Sequence, residues 1–88
     1  LPELQKCNNV TLYPNPVLSG YDFKLNINLS DKSDVRIKIC DAAGQIIDMV
    51  NPGEIDRYAY SGKIMHAGNY FIGIMINGRE CWQKLVVN

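Results

Sequence analysis

Phe23-Lys24-Leu25-Asn26-Ile27-Asn28-Leu29 decides the fold class. Apolar and polar side chains alternate along the stretch, and successive side chains of a β-strand point to opposite faces. As a strand it lays Phe23, Leu25, Ile27 and Leu29 in one row against a core. A helix would scatter the same four around its circumference. Two further runs repeat the pattern. Val35, Ile37 and Ile39 alternate with Arg36 and Lys38, and Tyr70, Ile72, Ile74 and Ile76 alternate with Phe71, Gly73 and Met75. Their β-branched and aromatic content suits a pleated surface.

The punctuation around these runs agrees. Asn77-Gly78 is a strong hairpin signal, because a type I′ turn needs positive φ at both central positions. Asp41-Ala42-Ala43-Gly44 joins the run 35–40 to another over 45–50, and a type I turn ending in a left-handed glycine fits it. Asn51-Pro52-Gly53 closes that second run, and Ser30-Asp31-Lys32-Ser33-Asp34 separates the first two. Three weaker strands complete the set. Residues 10–13 read as a short edge strand ended by Pro14 and Pro16, which donate no ladder hydrogen bond. Residues 57–61 carry Tyr58 and Tyr60 on an exposed-looking face. Residues 81–87 allow two registers. The one that turns Cys81, Gln83, Leu85 and Val87 inward is preferred, because the other buries Lys84. It leaves Trp82 outside, partly covered by a neighbour.

No window of twelve or more residues shows helical periodicity. Seven short strands with turns every eight to twelve residues predict an all-β fold, a seven-strand immunoglobulin-like or fibronectin-like β-sandwich over residues 10–88. Residues 1–9, with Pro2 and the polar Asn8-Asn9, read as a linker tail.

The chain of 88 residues is 47% hydrophobic and 20% charged, which supports one packed core. Nine basic residues balance nine acidic ones. They are scattered singly, as at Arg36, Lys38, Arg57 and Lys84, so nucleic acid and anionic membrane surfaces are not expected partners. No apolar stretch reaches the ~20 residues of a membrane helix, and direct membrane insertion is not expected. Leu1 opens the chain without an initiator Met or a leader, so a targeting leader is expected elsewhere in a longer protein.

Three cysteines, Cys7, Cys40 and Cys81, lack metal spacing. The expectation is three thiols filling space in the core. If one pair forms, Cys7 with Cys81 is the choice, since each flanks a terminal strand. An unpaired Cys40 on an outer strand face would allow a dimer.

Reactive chemistry is poorly represented. A hydrolytic triad needs a nucleophile beside an oriented base. The single histidine, His66, precedes the Ala67-Gly68-Asn69 turn without a nucleophile elbow, and it reads as a solvated turn residue. Asp31, Asp34, Asp48, Glu54 and Asp56 lack the spacing of a calcium loop. Asn9-Val10-Thr11 and Asn28-Leu29-Ser30 match the glycosylation sequon by chance composition, and Asn28 falls within a strand. Tyr13, Tyr21, Tyr58, Tyr60 and Trp82 keep open a carbohydrate-binding or fibronectin-like adhesion module. Neither enzyme activity nor a cofactor is expected.

Four motifs carry a resemblance. Leu12-Tyr13-Pro14-Asn15-Pro16 with Gly20 opens the domain, and Ile39-Cys40-Asp41-Ala42-Ala43-Gly44-Gln45 follows. Ala67-Gly68-Asn69-Tyr70-Phe71-Ile72 then starts a strand, and Gln83-Lys84-Leu85-Val86-Val87 ends the chain. In this order the chain resembles, over about residues 10–88, the C-terminal sorting domain of the type IX (Por) secretion system of Gram-negative bacteria. Cys40 departs from the family's usual aromatic before the aspartate, and Cys81 is unusual. The resemblance implies a signal at the end of a larger protein that is exported through the periplasm to the outer membrane, the cell surface or the medium. It implies partners in the translocon, shuttle and sortase components, with sortase cleavage near or upstream of residues 1–9 and surface anchoring. It places the recognition signal on Gly68, Tyr70, Lys84, Leu85, Val86 and Val87. Tyr13, Pro14, Asn15, Pro16, Gly20, Asp41, Gly44 and Gln45 are then the structural motif residues. One physical route to recognition is addition of the terminal strand to a receptor sheet.

Overall fold

Alternation outlasts the polar breaks that punctuate it. The computed structural model describes residues 7–88, and within them the chain forms five strands and no helix. They are β1 (Val10–Tyr13), β2 (Asp22–Cys40), β3 (Ile46–Lys63), β4 (Gly68–Ile76) and β5 (Arg79–Val87). All five belong to one antiparallel sheet, ordered β1-β2-β4-β5 with β3 also paired to β2.

The sheet curls because β2 and β3 are long enough to serve both of its halves. The first part of β2 pairs with β1, Val10 opposite Ile27, and with the last part of β3, Leu25 opposite Tyr60. The second part of β2 pairs with the first part of β3, Ile37 opposite Val50, and with β4, Ile39 opposite Ile72. Between these halves the ladder slips. Residues 29–32 of β2 oppose Asp56 alone, and Asn51 and Pro52 of β3 oppose Arg36. Such bulges bend a strand and tighten its twist. At the bend Ser33 turns inward, and its hydroxyl donates to the Asp31 carbonyl oxygen at 3.1 Å.

The all-β class is as the alternation predicts, but among the described residues five strands in one curled sheet stand where the turn spacing predicts seven. The expected turns at Ser30–Asp34 and Asn51–Gly53 are bends within β2 and β3. The hairpin at Asn77-Gly78 is as predicted, with φ of 50° and 80° at the two residues.

The curl encloses one core. Phe23, Leu25, Ile27, Val35, Ile37, Ile72, Ile74 and Leu85 are the largest fully buried side chains, and burial of each is worth roughly 1.5–3 kcal/mol. Val87 joins Leu85 inside, so β5 adopts the register that keeps Lys84 out. Trp82 lies on the outer face, with the Lys38 ammonium 5.1 Å from its ring centroid. Gly73 makes room for it: a methyl at Gly73 would sit 2.8 Å from the indole. Tyr58 and Tyr60, expected on an exposed face, are half-buried and pack against the core. The Tyr60 hydroxyl donates to Asp48 Oδ2 at 2.6 Å, which ties one end of β3 to the other.

The cysteines depart from the expectation of three thiols. Cys7 and Cys81 form a disulfide, with Cα atoms 5.0 Å apart and a separation of 74 positions in sequence. Cys40 is free but buried at 7% exposure, so it offers no accessible thiol for linking two copies. The linker expected over residues 1–9 lies outside the described residues for its first six positions. Asn9 is held to the sheet by its carbonyl oxygen, which accepts from the Asn28 N–H at 3.0 Å.

Candidate recognition end

A polar side chain between two prolines does the work of a strand. Pro14 and Pro16 stop β1 from continuing its ladder, and Asn15 between them turns its amide onto β5. Its Nδ2 donates to the Lys84 carbonyl oxygen at 2.8 Å, and its Oδ1 accepts from the Val86 N–H at 3.0 Å. Backbone bonds then extend the match. The Val17 N–H donates to the Val86 carbonyl oxygen at 2.9 Å, and the Asn88 N–H donates to the Val17 carbonyl oxygen at 2.8 Å. The Ser19 N–H and hydroxyl both donate to the Asn88 carbonyl oxygen at 2.8 Å. The outer edge of β5 from Lys84 to Asn88 is thus occupied by residues 15–19. A receptor strand adding there would have to displace them.

The other motifs arrive at the same end. Gly68 pairs with Val87, and Tyr70, buried opposite Leu85, donates its hydroxyl to the His66 carbonyl oxygen at 2.8 Å. The Gly20 N–H donates to the Ile64 carbonyl oxygen at 2.9 Å, which joins the segment before β2 to the segment before β4. Cys40 pairs with Phe71, so the Asp41–Gln45 turn stands beside the start of β4. In that turn Asp41 Oδ1 accepts from the Ala43 and Gln45 N–H groups, both at 2.9 Å, and Gly44 supplies a φ of 86°. Tyr13, half-exposed, accepts a hydrogen bond from Asn26 Nδ2 at 2.9 Å. All four motifs therefore converge on one end of the molecule.

Their chemistry is that of backbone geometry. Leu85 and Val87 are core side chains, while Lys84 and Gly68 are exposed and Val86 is half-buried. His66 is exposed. Among the described residues no group of three or more His, Cys, Asp or Glu side chains is placed to hold a metal ion. Tyr60 has its hydroxyl pushed well above the ordinary tyrosine range, by burial first, then by its bond to Asp48 and by the charges of Asp48 and Tyr58. Tyr58, Tyr60 and Trp82 do not share an exposed platform. Tyr58 and Tyr60 pack on the core, and Trp82 lies between Lys38 and Gly73.

Sequence reasoning passed over Leu18, Met65, Val17, Ser19 and Asn88, all of which this end contains. Leu18 and Met65 had one signal, large apolar side chains outside any alternating run. Val17 and Ser19 had none, since their partners lie about 70 residues away.

Comparison with known proteins agrees in fold and family. The structure of the Pseudomonas fluorescens alkylpurine DNA glycosylase AlkC, bound to DNA with an abasic site analog, superposes with a TM-score of 0.61 at 12% identity. The match covers 94% of this chain and 30% of that one, and at this identity it establishes likeness of fold alone. No curated protein sequence matches the chain. Residues 11–88 match the family model of the secretion system C-terminal sorting domain, and the chain belongs to that family of type IX secretion tails.

Proposed function

We propose that this domain directs a larger protein across the outer membrane by binding the translocon, shuttle and sortase components of the type IX machinery. Membership of the sorting family makes the chain a C-terminal secretion signal of a secreted or cell-surface protein. The finer reading is that the folded domain is recognised from the periplasm, and that a sortase then removes it and anchors the passenger at the surface. The observation that supports recognition of a folded shape is the convergence of four sequence-distant motifs on one end, through bonds such as those of Asn15 to Lys84 and Val86. Their roles are turns, edge protection and core, which fits a signal acting without catalysis.

The test is a fusion of residues 1–88 to a periplasmic reporter in a host that carries the system. The reporter is expected at the cell surface, trimmed to its own length. Retention in the periplasm with the domain folded would overturn the reading. Glycan binding by the domain without export would favour the adhesion module instead.

A further inference from the structure

The end that gathers the motifs also gathers exposed apolar side chains. Leu18, Tyr21 and Met65 are 57%, 65% and 67% exposed. They form one patch. Leu18 and Tyr21 border a shallow hollow with Pro14 and Pro16, and a methyl at Gly20 would lie 3.6 Å from Met65 Cε, so that thioether rests over the same turn. An apolar cluster on a loop costs solubility, and its usual explanation is a binding surface.

The patch is also held still. Val17, Ser19, Gly20 and Tyr21 each donate a backbone hydrogen bond, to Val86, Asn88, Ile64 and Leu18. A loop bolted at four of five successive residues presents its side chains with little ordering left to do on association, which favours a docking role. The rim carries one charge of each sign close together, Lys63 Nζ lying 4.0 Å from Asp22 Oδ1. Neither an anionic lipid surface nor a nucleic acid finds complementary charge here. An uncharged apolar protein surface needs none.

We propose that Leu18, Tyr21 and Met65 form the surface by which the folded domain docks on a protein of the secretion machinery, into an apolar groove that lacks strong charge. This rests on the sorting function proposed above and adds to it the face that is read. The segment 14–21 acts in both directions: inward it covers the edge of β5, and outward it offers the anchors. Large apolar and aromatic side chains that fill a partner's pocket carry most of the energy in such contacts.

The experiment compares three reporter fusions in the same host: the intact domain, the triple variant Leu18→Ser, Tyr21→Ser, Met65→Ser, and Met49→Ser on the exposed part of β3. The triple variant is expected to keep its disulfide and cooperative unfolding, yet to reach the surface at least about tenfold less, the equivalent of 1.4 kcal/mol of lost affinity. Leu18→Ser alone, the smallest change, should give a partial loss if the triple variant proves unstable. Met49→Ser should export as the intact domain does. Normal export of a folded triple variant, or equal loss with Met49→Ser, overturns the docking surface while leaving the sorting function intact. Failure of the intact fusion to export overturns the sorting function itself. Self-association in sedimentation, or binding to phosphatidylethanolamine vesicles, that the triple variant abolishes would assign the patch to a second copy or to lipid and overturn the proposal.

Discussion

Replacing Asn15 by Ala removes a side chain that bonds two backbone groups of β5 at once. The two hydrogen bonds, 2.8 Å to the Lys84 carbonyl oxygen and 3.0 Å from the Val86 N–H, are each worth about 0.5–1.5 kcal/mol net. Both are solvent-exposed, so water replaces part of the loss and the lower end applies, about 1 kcal/mol for the pair. For a domain of this size that is a fall in melting temperature of about 4–8 °C. Asn15→Asp separates donor from acceptor. It can still accept from Val86, but at neutral pH it points a carboxylate at the Lys84 carbonyl oxygen. Its stability relative to Asn15→Ala should therefore rise as the pH falls through about 4, where the carboxyl regains a proton to donate. Hydrogen exchange supplies the local readout, since the Val86 amide should lose protection in Asn15→Ala while the Ile72 amide in β4 keeps its own. An unchanged melting temperature together with an unchanged Val86 amide would refute the view that Asn15 secures the terminal strand.

Other expectations concern single contacts. Reduction of the Cys7–Cys81 bond, or Cys81→Ser, should lower stability by up to about 4 kcal/mol, because the cross-link closes a loop across most of the chain. Thermal unfolding with and without reductant measures this, and the serine variant should be insensitive to reductant. Tyr60→Phe loses the bond to Asp48 and should cost about 1 kcal/mol at pH 7. Since the folded state raises the Tyr60 pKa, its contribution is full below the unfolded value of 10.0 and is lost as the pH rises beyond it. Urea midpoints should then fall less steeply above pH 10 in Tyr60→Phe than in the parent, pH 10 being about where an unfolded tyrosine titrates. Gly73→Ala places a methyl 2.8 Å from the Trp82 ring and 3.1 Å from Lys38 Cε. The ring should lift from the sheet, and fluorescence of the chain's single tryptophan should shift to the red.

Period-two alternation exposed most of the core, since Phe23, Leu25, Ile27, Val35, Ile37, Ile39, Ile72 and Ile74 are all inside. The register of β5 was legible from the cost of burying Lys84. The continuity of β2 and β3 was not. A bend in a curled sheet and a turn between strands both release ladder bonds, and both are built from residues such as Ser30-Asp31-Lys32 or Asn51-Pro52-Gly53. Composition therefore reports that pairing is interrupted, while the partner strand alone decides whether it resumes. The disulfide and the Asn15 bridge were hidden for another reason. Each joins residues 69 to 74 positions apart, and the approach exists only once the sheet has curled. The four motifs were visible in order along the chain, whereas their meeting at one end belongs to the fold.

The Cys7–Cys81 bond also governs what proteolysis can accomplish. A peptide bond hydrolysed anywhere between those two residues nicks the chain without parting it, and the pieces would still migrate as one on a non-reducing gel. Only a cut on the amino-terminal side of Cys7 sets free whatever lies upstream. A processing enzyme that meets the oxidised domain has its useful scissile bonds confined to that side.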